Sequence, residues 1–419
     1  MFTNEEKAVF YILRQALFPG AGDLADENLQ LPDSLNWKQV YEEMWAQAVD
    51  ALVVDWVAGQ SVIDADMKRM WSRLSVHTVR HWFQVMDGQE ALTELLNRHQ
   101  IRFAIIKGAA AAVSYPRPEY RVMGDVDFIV QPEDARRVRN LLLANGYKDL
   151  LNESAVQDCF ESTHHVELVK DGVEYELHWT LPLGRQEKCV EERIPEWLRY
   201  GLAHTEVKEL EGYHVTVFPW ELNGLVLLRH IMQHLQENAL GLRQLVDWRM
   251  FVHAHLDDAA WRDDFQKIAA EAGLEKLAIH ATRACQVHLG LREEGITWCL
   301  GADLALSEEL LGTLMKAGNY GEKSREEDRG LRTMMRNRSV FSFLKSLQPM
   351  GVKNWEMARK YPVLRPFAWL YQIGRDIGLV FQKSSPIRSM TQLYGKSRRF
   401  EAMLERLGIG WDSVPEKQF

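Results

Sequence analysis

The first hundred residues carry apolar side chains at the spacing of α-helices. Apolar residues recur every three or four positions in three stretches, the longest of which covers residues 64–98, and this period is typical of helices with one buried face. Thr3 and Glu6 have the spacing of an N-terminal capping box. The predicted inward positions of the second and third helices include Val40, Met44, Trp45, Leu74, Phe83 and Met86. We therefore expect a helical N-terminal region over residues 1–100.

The pattern changes at Ile101, where short apolar runs and period-two alternation begin. Predicted strands cover residues 103–106, 122–130, 163–169 and 173–179, and predicted helices cover residues 109–113 and 132–145. The last two strands flank Asp171-Gly172, a pair that favours the positive φ angles of a tight hairpin turn. The sequence thus predicts a small α/β core with a mixed sheet over residues 101–215.

From Pro219 onward the chain is helical again. Predicted helices cover residues 221–235, 240–255, 261–289 with a break near Gly273, and 307–316. We expect a helical domain over residues 216–320 that closes a cleft, followed by a helical C-terminal region over residues 321–419 that prolines interrupt. This order of elements predicts an α+β fold, in which a small mixed sheet is flanked by helical N-terminal and C-terminal regions.

Composition places the chain among ordinary globular proteins. It has 419 residues, of which 46% are apolar and 26% are charged, which excludes collagen-like, low-complexity and disulfide-scaffold classes. A chain of this length buries enough surface to fold without a metal, so a bound metal would be functional. We find no apolar run long enough to span a membrane, and the acidic N-terminus is unlike a signal peptide. We therefore expect a cytoplasmic protein. The cysteines form no C-x-x-C pair and are expected to be buried or idle thiols: Cys159, Cys189, Cys285 and Cys299.

The net charge of −9 is unevenly distributed. Residues 329–400 hold fifteen Lys or Arg against two acidic residues, or +13, which leaves −22 for the rest of the chain. Residues 367–375 mix aromatic with basic side chains, as interfacial helices on anionic lipid do. Peripheral contact with an anionic membrane, a grip on nucleic acid and an ordinary basic surface all remain open. The acidic bulk makes free nucleic acid the less favoured partner.

Asp125 and Asp127 are the central candidates for chemistry. In a strand, residues i and i+2 point to the same side about 6.6 to 6.8 Å apart, so two carboxylates emerge together from an otherwise apolar strand. Hard oxygen ligands of this kind suit Mg²⁺. Glu176, on the second hairpin strand, is the predicted third ligand. The alternative is a solvated sheet face.

Lys107 and Gly108 end the strand that precedes this pair. A glycine at a strand-to-helix corner lets backbone N–H groups approach a phosphate closely. We expect Lys107 and Arg121 to neutralise phosphate oxygens. Arg243 either pairs with Asp247 one helical turn away or reaches a nucleotide from the helical side of the cleft.

Three histidines are weaker candidates. His230 and His234 are four residues apart on one helix face, a spacing that suits a metal but lacks the glutamate of H-E-x-x-H. His165 shares a face with Glu167 and either lines the cleft beside Glu176 or belongs to a polar sheet face, and His164 precedes it.

Three segments together resemble a known family: Ile106-Lys107-Gly108-Ala109-Ala110, Arg121-Val122-Met123-Gly124-Asp125-Val126-Asp127-Phe128-Ile129-Val130 and Tyr175-Glu176-Leu177-His178-Trp179. They are similar to the uncharacterised nucleotidyltransferase family of the DNA polymerase beta-like superfamily, over roughly residues 35–255. The resemblance implies a two-metal site in which Asp125, Asp127 and Glu176 hold Mg²⁺ and Gly108 contacts the nucleotide phosphates.

The function that follows is Mg²⁺-dependent transfer of a nucleoside monophosphate from an NTP to an unknown acceptor, with two Mg²⁺ ions. The predicted catalytic and metal residues are Asp125, Asp127 and Glu176, and the predicted nucleotide-binding residues are Lys107, Gly108, Arg121 and Arg243. The alternative is a non-catalytic nucleotide-binding or scaffold protein of a bacterial surface-polysaccharide or peptide pathway.

Overall fold

The computed structural model describes residues 2–17, 31, 34–151, 160, 165–181, 188–237, 239–319, 323, 347–348, 351–352, 354–381 and 398–410. The chain forms two compact units, one of Met1–Lys323 with Glu405–Phe419 and the other of Ser324–Leu404. The first unit is a mixed α+β structure with a small five-stranded sheet and a two-stranded sheet between helices. The predicted fold class is confirmed. The finer division into four regions stays a prediction.

Most helices of the first unit come before its first strand or after its last strand in the sequence. The strands are β1 (Phe103–Ile105), β2 (Val126–Val130), β3 (Lys148–Asp149), β4 (His165–Lys170), β5 (Val173–His178), β6 (Glu206–Leu210) and β7 (Tyr213–Val217). The helices up to β7 are α1 (Asn4–Leu17), α2 (Trp37–Ala46), α3 (Val54–Gly59), α4 (Ala65–Arg98), α5 (Gly108–Ala112), α6 (Ala135–Ala144) and α7 (Lys188–Ala203). The later helices are α8 (Trp220–Gln236), α9 (Leu242–His255), α10 (Asp258–Ala260), α11 (Gln266–Glu271), α12 (Glu275–His288) and α13 (Leu304–Ala317).

Side-chain caps fix the starts of the N-terminal helices. Thr3 and Glu6 form the predicted capping box, since the Glu6 backbone donates to Thr3 Oγ1 and the Thr3 backbone donates to the Glu6 carboxylate.

Trp45 and Phe83 are exposed, so the prediction that they face inward is wrong. In α4 the neighbouring Trp82 takes the buried position, because a helical period locates the apolar stripe only to within one residue.

The five-stranded sheet has the order β1-β2-β5-β4-β3. β2 and β5 run parallel, and the other three pairings are antiparallel. One face of the sheet carries the apolar side chains of these strands and packs into a core with α4 and α6. On β5 the opposite face carries Glu174, Glu176 and His178. Asp127 of β2 is the register partner of Glu176, so the parallel pairing sets the two carboxylates side by side.

The turn chemistry of the sheet largely follows the sequence. The β4–β5 hairpin turns at Asp171 and Gly172, with φ angles of 51° and 76°, which confirms the prediction. β2 begins at Val126 rather than at Val122, so Asp125 lies just before the strand. The structure adds β3 and the β6–β7 hairpin, which the sequence reading missed. His164 lies outside the described residues.

Helices after β7 form a wall beside the sheet. α8 and α9 pack closely where Gly224 leaves room for two aromatic rings: a Cβ on Gly224 would lie 2.3 Å from Phe251 and 2.8 Å from Phe265. The predicted break near Gly273 is confirmed, since this residue has a φ of 65° and separates α11 from α12. Cys285 and Cys299 are buried free thiols, and burial raises the pKa of Cys299 to about 11. The Cys159 residue and the Cys189 side chain lie outside the described residues.

The second unit is described mainly over residues 354–381. It contains α14 (Glu356–Lys360), a 3₁₀ segment (Pro362–Phe367) and α15 (Ala368–Phe381). The large apolar side chains that this segment exposes are Met357, Tyr361, Val363, Phe367, Leu370 and Tyr371. Most of the remaining basic stretch of residues 329–400 lies outside the described residues. Among the helices that the structure describes, none combines the length and apolarity needed to cross a membrane.

Candidate active site

Three acidic side chains meet where β2 and β5 run side by side. Asp125 precedes β2, Asp127 lies on it, and Glu176 lies on β5. Each offers a carboxylate oxygen, and these oxygens lie within 4.8 Å of one another. The prediction that the three side chains converge is therefore confirmed, although their roles stay predictions. A set of carboxylate oxygens at this spacing fits the donor preference of Mg²⁺.

The side chains of Lys107 and His178 contact these carboxylates. The Lys107 ammonium lies 2.7 Å from Asp127 Oδ1 and 3.6 Å from Glu176 Oε2. His178 Nε2 lies 2.9 Å from the same Asp127 oxygen and 3.0 Å from Glu176 Oε2. Lys107 sits at the corner between β1 and α5, while His178 is fully buried at the end of β5. Both side chains thus link Asp127 to Glu176, which the sequence did not predict.

A cavity of about 220 Å³ opens over the acidic group. All seven predicted site residues line it: Lys107, Gly108, Arg121, Asp125, Asp127, Glu176 and Arg243. His165 also lines it, as one of the alternatives for this residue expected. The helical side of the cavity consists of His230, Gln233 and His234 from α8 together with Arg243 from α9.

A buried hydrogen-bond network anchors the loop that leads into β2. Arg121 donates through Nε and Nη2 to the two oxygens of Asp247, at 2.8 and 2.7 Å. Tyr115 also donates to Asp247, at 2.7 Å. Asp247 therefore forms an ion pair with Arg121, which lies 126 positions away in the sequence. Arg243 donates to the backbone oxygen of Val122 at 2.8 Å. The network ties the loop before Asp125 to α9.

The family of the chain follows from a comparison with known protein families. Residues 33–290, more than half of the chain, match the family described as an uncharacterised nucleotidyltransferase. The chain belongs to this nucleotidyltransferase family. No curated protein matches the sequence. The matched residues include every residue that lines the cavity.

The acidic group concentrates negative charge in the cavity. The charge of Asp127, together with burial and Glu176, raises the pKa of Asp125 to about 7. Burial opposes ionisation of Glu176, but the hydrogen bond from His178 and the charge of Lys107 outweigh it and hold the Glu176 pKa far below its usual value. Asp125 therefore binds its proton more tightly than Glu176 does.

The surroundings of the two histidines on the helical side of the cavity favour the neutral imidazole. Burial and the neighbouring His234 lower the pKa of His230 well below its usual value. Burial and the charge of Lys107 lower the pKa of His234 to about 4. The two Nε2 atoms lie 2.7 Å apart, so one ring donates to the other. This pairing and the absence of a carboxylate between them fit a polar cavity wall.

Sequence reasoning missed several residues that shape the site. His178 follows Glu176 by two positions and shares its face, a signal that alternation alone supplies. Gln233 lies between the two histidines of α8 and carries no comparable signal. Tyr115 reaches Asp247 across 132 positions, and no local pattern predicts such a contact.

Proposed function

We propose that this protein is a Mg²⁺-dependent nucleotidyltransferase that moves a nucleoside monophosphate from an NTP to an acceptor. The observation that carries the proposal is the convergence of Asp125, Asp127 and Glu176 within 4.8 Å, in a chain of the nucleotidyltransferase family. The cavity over them is about 220 Å³ and is lined by cationic side chains as well as carboxylates. A cavity of mixed charge suits a metal ion and an anionic substrate together.

The donor set fits the implied metal. Three carboxylates supply hard oxygen ligands, which Mg²⁺ prefers over nitrogen or sulfur. When bound, Mg²⁺ would polarise phosphate oxygens and make an acceptor hydroxyl easier to deprotonate. Asp125, Asp127 and Glu176 would hold it.

The other residues of the cavity would bind and orient the nucleotide. Gly108 begins α5 and leaves its backbone open to a phosphate, because it has no side chain on the cavity side. Arg243 and Arg121 add two guanidinium groups to the cavity lining, and the Asp247 pair fixes the direction of Arg121. Positioning and positive charge are the main contributions that a protein makes to phosphoryl-group transfer.

The test is pyrophosphate release from each of the four NTPs in the presence of Mg²⁺, with a cell extract as the source of acceptor. Asp125→Asn, Asp127→Asn and Glu176→Gln each remove one ligand charge with little change in shape, and we expect at least about a thousandfold loss of rate. Glu174→Gln is the matched control, because Glu174 lies on the same face of β5 but is exposed and does not line the cavity. Full activity in the three ligand variants would overturn the proposal.

A non-catalytic nucleotide-binding protein is the second candidate. It is favoured by one contact, the Lys107 ammonium 2.7 Å from Asp127, because this charge neutralises a predicted metal ligand. Such a protein would bind an NTP in calorimetry without releasing pyrophosphate under any of the conditions above. Pyrophosphate release that depends on Asp125 would exclude it.

We also propose that the second unit contacts an anionic lipid surface. Within residues 357–371 six large apolar side chains are exposed, and Val363 is 77% exposed. Arg365 and Lys360 lie among them, and the whole segment 329–400 carries +13. Exposed apolar groups beside basic ones are the composition that binds anionic membranes.

A further inference from the structure

The Lys107 ammonium lies against two members of the acidic group. Its Nζ lies between two of the three acidic side chains, 2.7 Å from Asp127 and 3.6 Å from Glu176. The Lys107 side chain is only 13% exposed and that of Asp127 is 5% exposed, so water screens this contact weakly. In two-metal sites the ions lie about 3.5–4 Å apart and share carboxylates. An ammonium at these distances competes with a second ion for Asp127 Oδ1 and Glu176 Oε2.

The backbone at Lys107 supports a specific role for its side chain. Lys107 has φ 55° and ψ −125°, a conformation that glycine adopts freely and that other residues adopt at a cost. Gly108, the next residue, has no such requirement, since it lies within α5. A lysine in a glycine-like conformation persists where its surroundings offset the strain, and contacts of its side chain can contribute to this. The contacts present are the ion pairs with the acidic group.

We infer that the Lys107 ammonium serves as a built-in cation of the acidic site, so that the protein binds one divalent ion there rather than two. This inference rests on the proposed function and refines its metal requirement. In this arrangement Asp125 and the remaining oxygens of Asp127 and Glu176 hold the single ion. Lys107 keeps Asp127 and Glu176 in position and provides fixed positive charge beside the reacting phosphate.

The experiment counts bound Mn²⁺ by electron paramagnetic resonance, with and without one equivalent of a non-hydrolysable ATP analogue. We expect the wild-type protein to bind one Mn²⁺ with an uncoupled spectrum. Lys107→Met removes the charge and keeps most of the side-chain length, and we expect it to bind two Mn²⁺ ions with the spin coupling of a close pair. Lys107→Gly tests the same change in a backbone that glycine fits without strain, in case the methionine variant folds poorly.

Lys323→Met is the matched control. Lys323 also forms an ion pair, 2.7 Å from Glu43, but it does not line the cavity. Its replacement should leave the Mn²⁺ count at one. Two coupled ions on the wild-type protein, with or without the ATP analogue, would overturn the inference and leave the proposed function standing. One ion on both Lys107 variants would overturn it as well. No Mn²⁺ bound to the wild-type protein would instead overturn the proposed function.

Discussion

Asp125 lies beside the negative charges of Asp127 and Glu176, which favour binding of a cation. A proton and a metal ion therefore compete for its carboxylate. Its pKa rises from 3.8 to about 7 in the folded protein, first because of Asp127 and then because of burial. A carboxyl with a raised pKa in the folded state binds its proton more tightly when folded, so its contribution to stability falls as the pH rises between these two values. A metal ion relieves this cost because it replaces the proton.

The first prediction is a pH-dependent metal affinity. Calorimetric titration with Mg²⁺ should show an affinity about 30-fold lower at pH 5.5 than at pH 7.5, since the Asp125 proton must leave before the ion binds. Above about pH 7 the affinity should level off. Asp125→Asn should bind weakly, because it lacks the ligand charge. Its affinity should not change with pH, because it has no proton to lose. An affinity that is the same at both pH values in the wild-type protein would contradict the assignment of Asp125 as a ligand.

A second prediction concerns Gly108. A Cβ at this position would lie 3.6 Å from the Asp125 backbone oxygen, which is ordinary van der Waals contact, so Gly108→Ala should fold and melt like the wild type. The added methyl group stands at the cavity where we place the phosphates, and we expect KM for the NTP to rise about tenfold. Steady-state kinetics and a thermal melt measure the two effects. Gly301→Ala, with nothing within 4 Å of its Cβ, is the control and should change neither.

The sheet face that carries each acidic residue was predictable, because alternation along a strand is local. Asp125 and Asp127 are two positions apart, and the Asp171-Gly172 turn fixes which face of β5 carries Glu176. The contacts of Lys107 and Arg121 were not predictable, because their partners lie 20 and 126 positions away. The spacing of Arg243 and Asp247 suggested an ion pair within α9, and the structure adds that both Asp247 oxygens accept from Arg121.

At the scale of elements, long helices and tight turns were predictable and short edge strands were not. The helix predicted over 64–98 is present as α4, since its apolar period repeats over many turns. β3 has two residues and β6 carries alternating charges, so neither gives a strong apolar pattern. The β6–β7 turn does carry a signal that could have located the hairpin, because Glu211-Gly212 has φ angles of 50° and 85°.

The packing of α8 on α9 yields a third prediction. Gly224→Ala would force a methyl group to within 2.3 Å of Phe251, and such overpacking costs about 1–3 kcal/mol, less up to about 1 kcal/mol that alanine gains in a helix. We expect a lower melting temperature and a weaker affinity for nucleotide, since α8 carries the His230 and His234 side of the cavity. Gly59→Ala has open space around its Cβ and serves as the control. A melting temperature equal to that of the wild type would show that the helices shift at little cost.

At the scale of the whole molecule, the order of elements was enough to predict the fold class. Helical stretches on both sides of a short run of strands predict an α+β protein, and the structure has this arrangement. The uneven distribution of charge was also visible, because it requires only counting along the chain. The exposure of the apolar residues near Val363 was not predictable from the sequence, because a periodic pattern does not show whether a face is covered.

The charge distribution of the whole chain leads to a fourth prediction. The full-length protein should cosediment with vesicles rich in phosphatidylglycerol at low salt and should be released as salt rises, because exposed charges are screened. Val363→Ser combined with Phe367→Ser should weaken binding at least tenfold, since both side chains are exposed. Val62→Ser is the control, because Val62 is 63% exposed in the first unit. Absence of binding to these vesicles at low salt would dismiss the lipid surface.

The parallel pairing of β2 with β5 makes sheet assembly and site assembly a single event. Asp127 faces Glu176 in a register that also buries Phe128 beside Leu177. If the register of β5 shifted by one residue, the Glu176 side chain would point into the apolar core. The side chains of Tyr175 and Leu177 would then point toward water. A chain with the wrong register would lose its apolar packing and its cation-binding group together. A molecule in which β2 and β5 have paired in the native register therefore already has its acidic side chains aligned.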